Sequence, residues 1–130
     1  MAFVLEDEAN SDTDAILERL GRDASALAPA LWWWEVANVL LIAERRKRVT
    51  IPEIHRHLTS LHALPVEFDE MAPRQSWSAG LLLAGKHRLT LYDTAYLELA
   101  IRHGVPLGSL DAELRQAAKS ERVELLPKRI

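Results

Sequence analysis

Between Leu89 and Leu114 the sequence runs L-T-L-Y-D-T-A-Y-L-E-L-A-I-R-H-G-V-P-L-G-S-L-D-A-E-L, which sets Asp93 and Asp111 at the openings of two consecutive predicted helices. Together with Glu35 they are the residues best suited to chemistry. Carboxylates gathered from distant segments are the usual means of holding a hard divalent cation, Mg²⁺ or Mn²⁺, which prefers oxygen ligands and keeps some of its waters. The chemistry in view is phosphodiester cleavage.

Glu35 stands out because L-W-W-W-E-V-A-N-V-L-L-I-A contains only two polar side chains, Glu35 and Asn38, spaced i, i+3 on one helix face. A lone carboxylate in an apolar setting costs several kcal/mol unless it is paired or binds a metal, so the notch calls for a partner. The alternative is a salt bridge at the helix's exposed edge. Asp93 follows Thr90 in T-L-Y-D, where it suits the positive end of a helix, and Asp111 suits an N-cap. Taken singly each aspartate reads as a cap; a functional site rests on the set of three.

Helical patterning covers Asp12 to Leu20, Leu31 to Lys47, Ile51 to Leu64, Pro73 to Lys86, Leu91 to His103 and Ala112 to Glu121. Short apolar runs at Ala26 to Ala28, Val66 to Phe68, Val105 to Ser109 and Val123 to Leu126 have the length of buried strands. Alternation of strand and helix predicts an α/β sandwich around a mainly parallel sheet, since each parallel crossover needs a helix to return the chain. Ligands of such sheets lie at the carboxyl ends of the strands. Thr50 with Glu53 forms a capping box around Pro52, and Gly104 with Pro106 ends the helix carrying Asp93.

The 130 residues suffice for one domain, 1–130, and show no repeat or linker. Without cysteine there is no disulfide, thiolate metal site or cysteine nucleophile, so any metal is held by oxygen or histidine. An intracellular, reducing compartment is compatible with this, and a cytoplasmic location is expected. The net charge of -3 gives no global signature of nucleic-acid binding, so RNA would meet local patches. The longest apolar stretch, Leu31 to Ala43, falls short of the roughly 20 residues needed to cross a bilayer.

E-V-A-N at Glu35 to Asn38, L-T-L-Y-D-T-A-Y-L-E-L-A at Leu89 to Ala100 and P-L-G-S-L-D-A-E-L at Pro106 to Leu114 resemble PIN-domain proteins and, more narrowly, VapC-type toxins. The resemblance implies a PIN-like three-layer sandwich and a Mg²⁺- or Mn²⁺-dependent endoribonuclease of a toxin-antitoxin pair. Glu35, Asp93 and Asp111 match its acidic, metal-binding positions. Ser109 matches a small hydroxyl two residues before the last aspartate, and Asn38 a polar neighbour of the site. The partners implied are target RNA, a small antitoxin whose tail covers the site, and a second copy of the chain in a homodimer.

The family pattern also has a first aspartate, at the end of a central N-terminal strand. Ala2 to Glu8 is similar to the family segment just beyond that aspartate, so the central strand and one metal ligand are expected to be missing, through a misassigned start codon or a natural loss. Asp7 and Asp12 fall at the wrong places to substitute. A chain so shortened is expected to be weakly active or inactive, the alternative being a noncatalytic module that binds antitoxin or RNA without cleavage.

Trp32, Trp33 and Trp34 point about 100° apart on a helix, which favours core packing or a protein interface over base stacking for the run. Arg45 to Arg48 and the cluster of Lys86, His87 and Arg88 read as solvated faces, with contact to RNA or antitoxin the alternative. His55, His57 and His62 do not make a chelate, because H-x-H on a helix separates the rings by about 200°.

Overall fold

Five short apolar runs and the helices between them build the computed structural model, which describes residues 2–3, 26–70 and 73–128. The strands are β1 (Ala2–Phe3), β2 (Ala26–Ala28), β3 (Val66–Phe68), β4 (Leu107–Gly108) and β5 (Leu125–Leu126). The helices are α1 (Trp32–Arg45), α2 (Ile51–His62), α3 (Pro73–His87), α4 (Leu91–His103) and α5 (Ala112–Ser120). The strands form one sheet in the order β3-β2-β1-β4-β5, with every pairing parallel. All five carboxyl ends therefore lie along the same side. The fold is the expected PIN-like α/β sandwich, with helices flanking a short parallel sheet. The predicted helix at Asp12 to Leu20 lies outside the described residues, as do Asp7 and Asp12.

The expectation of a sheet without its central strand is corrected. Ala2–Phe3 occupies the centre, with Ala2 opposite Leu27 of β2 on one side and Leu107 of β4 on the other, and Phe3 opposite Gly108. Two residues suffice because the neighbouring strands are only two and three residues long, and an extended dipeptide can bond to both. The overlooked signal is the apolar run Ala2 to Leu5, which already has the length of a short buried strand. Very short edges at β3 and β5 also offer little template for unwanted pairing.

Helix α4 is the hub. Thr94 and the run Tyr96 to Ala100 are buried, so almost every side of its middle faces protein, and it packs against α3, α5, β1 and β4. Trp32 and Val36 of α1 and Leu114, Ala117 and Ala118 of α5 complete the same core. By contrast α2 buries no residue fully and packs on α1 as an outer layer.

Side-chain caps start three helices: Thr50 accepts from the Glu53 N–H at 3.3 Å, Thr90 from Asp93 at 3.1 Å, and Asp111 from Leu114 at 2.7 Å. In the Thr50 box the Glu53 carboxylate accepts from the Thr50 hydroxyl at 3.0 Å. At their other ends α1, α3, α4 and α5 share one geometry. A residue in the left-handed region stops the helix, and the next N–H reaches back five residues: Arg48 to Ala43, Leu89 to Ala84, Val105 to Ala100 and Val123 to Ala118, at 2.8 to 3.1 Å. The left-handed residues are Lys47, Arg88, Gly104 and Arg122. Helix α1 accordingly ends at Arg45, short of the expected Lys47, whose φ of 59° cannot continue a helix.

A partly buried ion cluster holds α4 to the exit of β3. The Arg102 guanidinium donates to both oxygens of Asp69, at 3.0 and 2.6 Å, and to both oxygens of Glu98, at 2.8 and 3.0 Å. Hydrogen bonds to these two carboxylates hold Arg102 charged well above its ordinary range.

Candidate active site

The carboxyl ends of β2 and β4 lead into the segments that carry the acids. From β2 the chain turns through Pro29 to Leu31 and enters α1, with Glu35 in its first turn. Helix α4 returns the chain to the amino end of β4, so its own amino end, with Asp93 in the first turn, lies at the sheet's carboxyl side. Beyond β4 come Ser109 and Asp111. The parallel sheet thus brings both aspartates and Glu35 to one end.

Glu35, Asn38 and Asp93 line one open cleft, with Leu31, Trp34, Thr90 and Tyr92 completing its walls. Burial pushes the Glu35 carboxyl above its ordinary value; the hydrogen bond from Tyr96 acts against this, and the charge of Asp93 adds to it. The Asp93 carboxyl is raised first by burial and then by the charge of Asp111, with Glu113 adding a smaller push and the Thr90 hydroxyl opposing. Two half-buried acids thus crowd one another, which favours any positive charge placed between them.

Tyr96 is the site residue that sequence reasoning missed. Its side chain is buried, and its hydroxyl donates to Glu35 Oε1. Burial, that hydrogen bond and the two nearby acids raise its pKa far above the ordinary phenol, so it keeps its proton. The signal was present: Tyr96 is three residues beyond Asp93 and so shares its helix face.

Asp111 and Ser109 sit differently. Asp111 is exposed, lies outside the lining of the cleft and spends Oδ1 on the Leu114 N–H as the cap of α5, while its charge still reaches Asp93. Ser109 is buried, and its hydroxyl accepts from the Asp111 N–H at 3.0 Å, fixing the turn before α5. Its carbonyl accepts from the buried Arg115 at 2.9 Å. Among the described residues, no group of three or more His, Asp or Glu side chains stands close enough to hold a metal ion.

The residues present fit a cation that keeps most of its water. Two carboxylates and an amide facing an open cleft suit Mg²⁺, which binds through one or two carboxylates and dehydrates reluctantly, and they do not form an all-protein cage. The other candidates lie elsewhere. Lys86 and His87 pair with Glu121 at 2.7 and 3.0 Å, and His62 stacks on Trp33 with ring centres 4.3 Å apart.

The family model of the PIN domain matches residues 1–120. No curated protein is similar enough to be matched with the chain. PIN domains are in general nucleases and use divalent metal ions. No described helix is long and apolar enough to cross a membrane.

Proposed function

Because this chain belongs to the PIN-domain family, we propose that it is a metal-dependent endoribonuclease of the VapC toxin type, cutting RNA phosphodiester bonds. A small antitoxin covers its cleft, and a second copy of the chain completes a dimer. The observation that carries the reading is the pair Glu35 and Asp93 in one open cleft, each carboxyl pushed up by burial and by a neighbouring acid.

A bound Mg²⁺ or Mn²⁺ would make a nucleophile of water at neutral pH and offset charge developing on the phosphate. Glu35 and Asp93 would hold it, with Asn38 at the rim and Asp111 contributing through its charge and its uncapped oxygen. The protein's own work is positioning. Tyr96 fixes one oxygen of Glu35 and leaves the other for the cleft. Thr90 sets the first turn of α4 so that Asp93 points to the same place. Ser109 and the cap to Leu114 hold Asp111 at the edge, where its like charge raises Asp93 and adds to the pull on a cation.

With two acids in the cleft and the third at its edge, the cation is held weakly, and cleavage needs Mg²⁺ in the millimolar range. A noncatalytic, antitoxin-binding module is the second reading, favoured by the employment of Asp111 as a cap. Incubation of the purified chain with end-labelled RNA separates them. Cleavage that EDTA and Asp93→Asn both abolish supports the nuclease; antitoxin or RNA binding with no cleavage across millimolar Mg²⁺ supports the module.

A further inference from the structure

Resting on the nuclease reading, we propose that Trp34 and Tyr92 form a nucleobase-binding lip on the acidic cleft, stacking on the unpaired bases that flank the scissile phosphate. Each aromatic immediately precedes an acid, Trp34 before Glu35 and Tyr92 before Asp93, and all four line the same cleft. The three consecutive tryptophans divide their labour. Trp32 is buried, Trp33 is half-buried against Phe68 and His62, and Trp34 is 81% exposed, with Tyr92 68% exposed. Rotation along α1 thus assigns the first to the core and the last to the cleft.

Electrostatics say why the cleft needs such a lip. A polyanion approaching Glu35 and Asp93 meets like charge, and no Lys, Arg or His is among the residues lining that cleft. Affinity within the cleft therefore comes from the cation and from contacts that carry no charge. Base-aromatic stacking is that kind of contact, and it is sequence-tolerant because every base has a π-face. Because Trp34 and Tyr92 line the same cleft as the acids, they are the surfaces that bases flanking a phosphate seated there would meet. Bases in a duplex have their faces already covered, so the lip serves unpaired bases.

The test measures binding of a fluorescent oligoribonucleotide and of an abasic ribose-phosphate oligomer of equal length, in Ca²⁺, to the wild-type chain and to Trp34→Ala, Tyr92→Ala and Trp34→Phe. Both side chains are exposed, so the variants keep the wild-type melting temperature. Each alanine variant is expected to weaken the base-bearing oligomer about tenfold and leave the abasic one unchanged, while Trp34→Phe keeps most of the wild-type affinity. Equal loss for both oligomers, unchanged affinity for both, or no binding by the wild type overturns the lip. Cleavage of RNA with an unaltered KM in the alanine variants overturns the lip and leaves the nuclease standing. Base-dependent binding by a chain that never cleaves keeps the lip and removes the nuclease.

Discussion

Tyr96 and Asp111 show how one side chain can serve structure and site together. The Tyr96 hydroxyl is buried and satisfies a half-buried carboxylate, so Tyr96→Phe leaves Glu35 without its donor. The expected loss is about 1–2 kcal/mol in denaturant unfolding, with cleavage reduced about tenfold because Glu35 is no longer fixed. Asp111 is separable by chemistry. Asparagine caps a helix as well as aspartate, whereas alanine costs about 1 kcal/mol. Asp111→Asn is therefore expected to keep the stability of the wild type while lowering Mg²⁺-dependent cleavage, and Asp111→Ala to lower both. A cleavage rate untouched by Asp111→Asn would make Asp111 a cap alone.

Among the elements, the helix ends divide by legibility. Gly104 announced its left-handed stop, because glycine adopts φ > 0 at no steric cost. Lys47, Arg88 and Arg122 adopt the same conformation without any such signal. Past α3, α4 and α5 the chain stops coiling because the residue after the stop has somewhere to go: Leu89, Val105 and Val123 pack against the core. The left-handed region costs a residue bearing Cβ about 1 kcal/mol. Arg122→Gly is accordingly expected to raise stability by about 0.5–1 kcal/mol in denaturant melts, since Arg122 is exposed and its side chain carries no contact in the core.

For the whole molecule, a contact between distant segments carries a pH response of its own. Glu121 closes the turn after α5 onto the end of α3, and its hydrogen bonds to Lys86 and then His87 hold its carboxyl below the ordinary value. A lowered acid stabilises the fold above its unfolded value near 4.5, and that contribution is lost as pH falls through the lower folded value. Glu121→Gln should thus melt below the wild type at pH 7, and the two melting curves should converge below about pH 4.

The amino-acid order alone determined the alternation of helix and strand, the caps at Thr50, Thr90 and Asp111, and the notch of Glu35 and Asn38, because each is a matter of neighbours three or four residues apart. Four of the five strands were legible for the same reason; the apolar run holding β1 was legible too, but its place at the centre came only from β2 and β4 lying on either side. Tertiary structure decided which acids meet. It placed Glu35, Asn38 and Asp93 along one cleft and seated Tyr96 beneath Glu35. It also left Asp111 outside the lining of that cleft. A carboxylate's role as cap or ligand depends on what else comes within a few ångströms, and only the meeting of α1 and α4 at the carboxyl end of a parallel sheet fixes that.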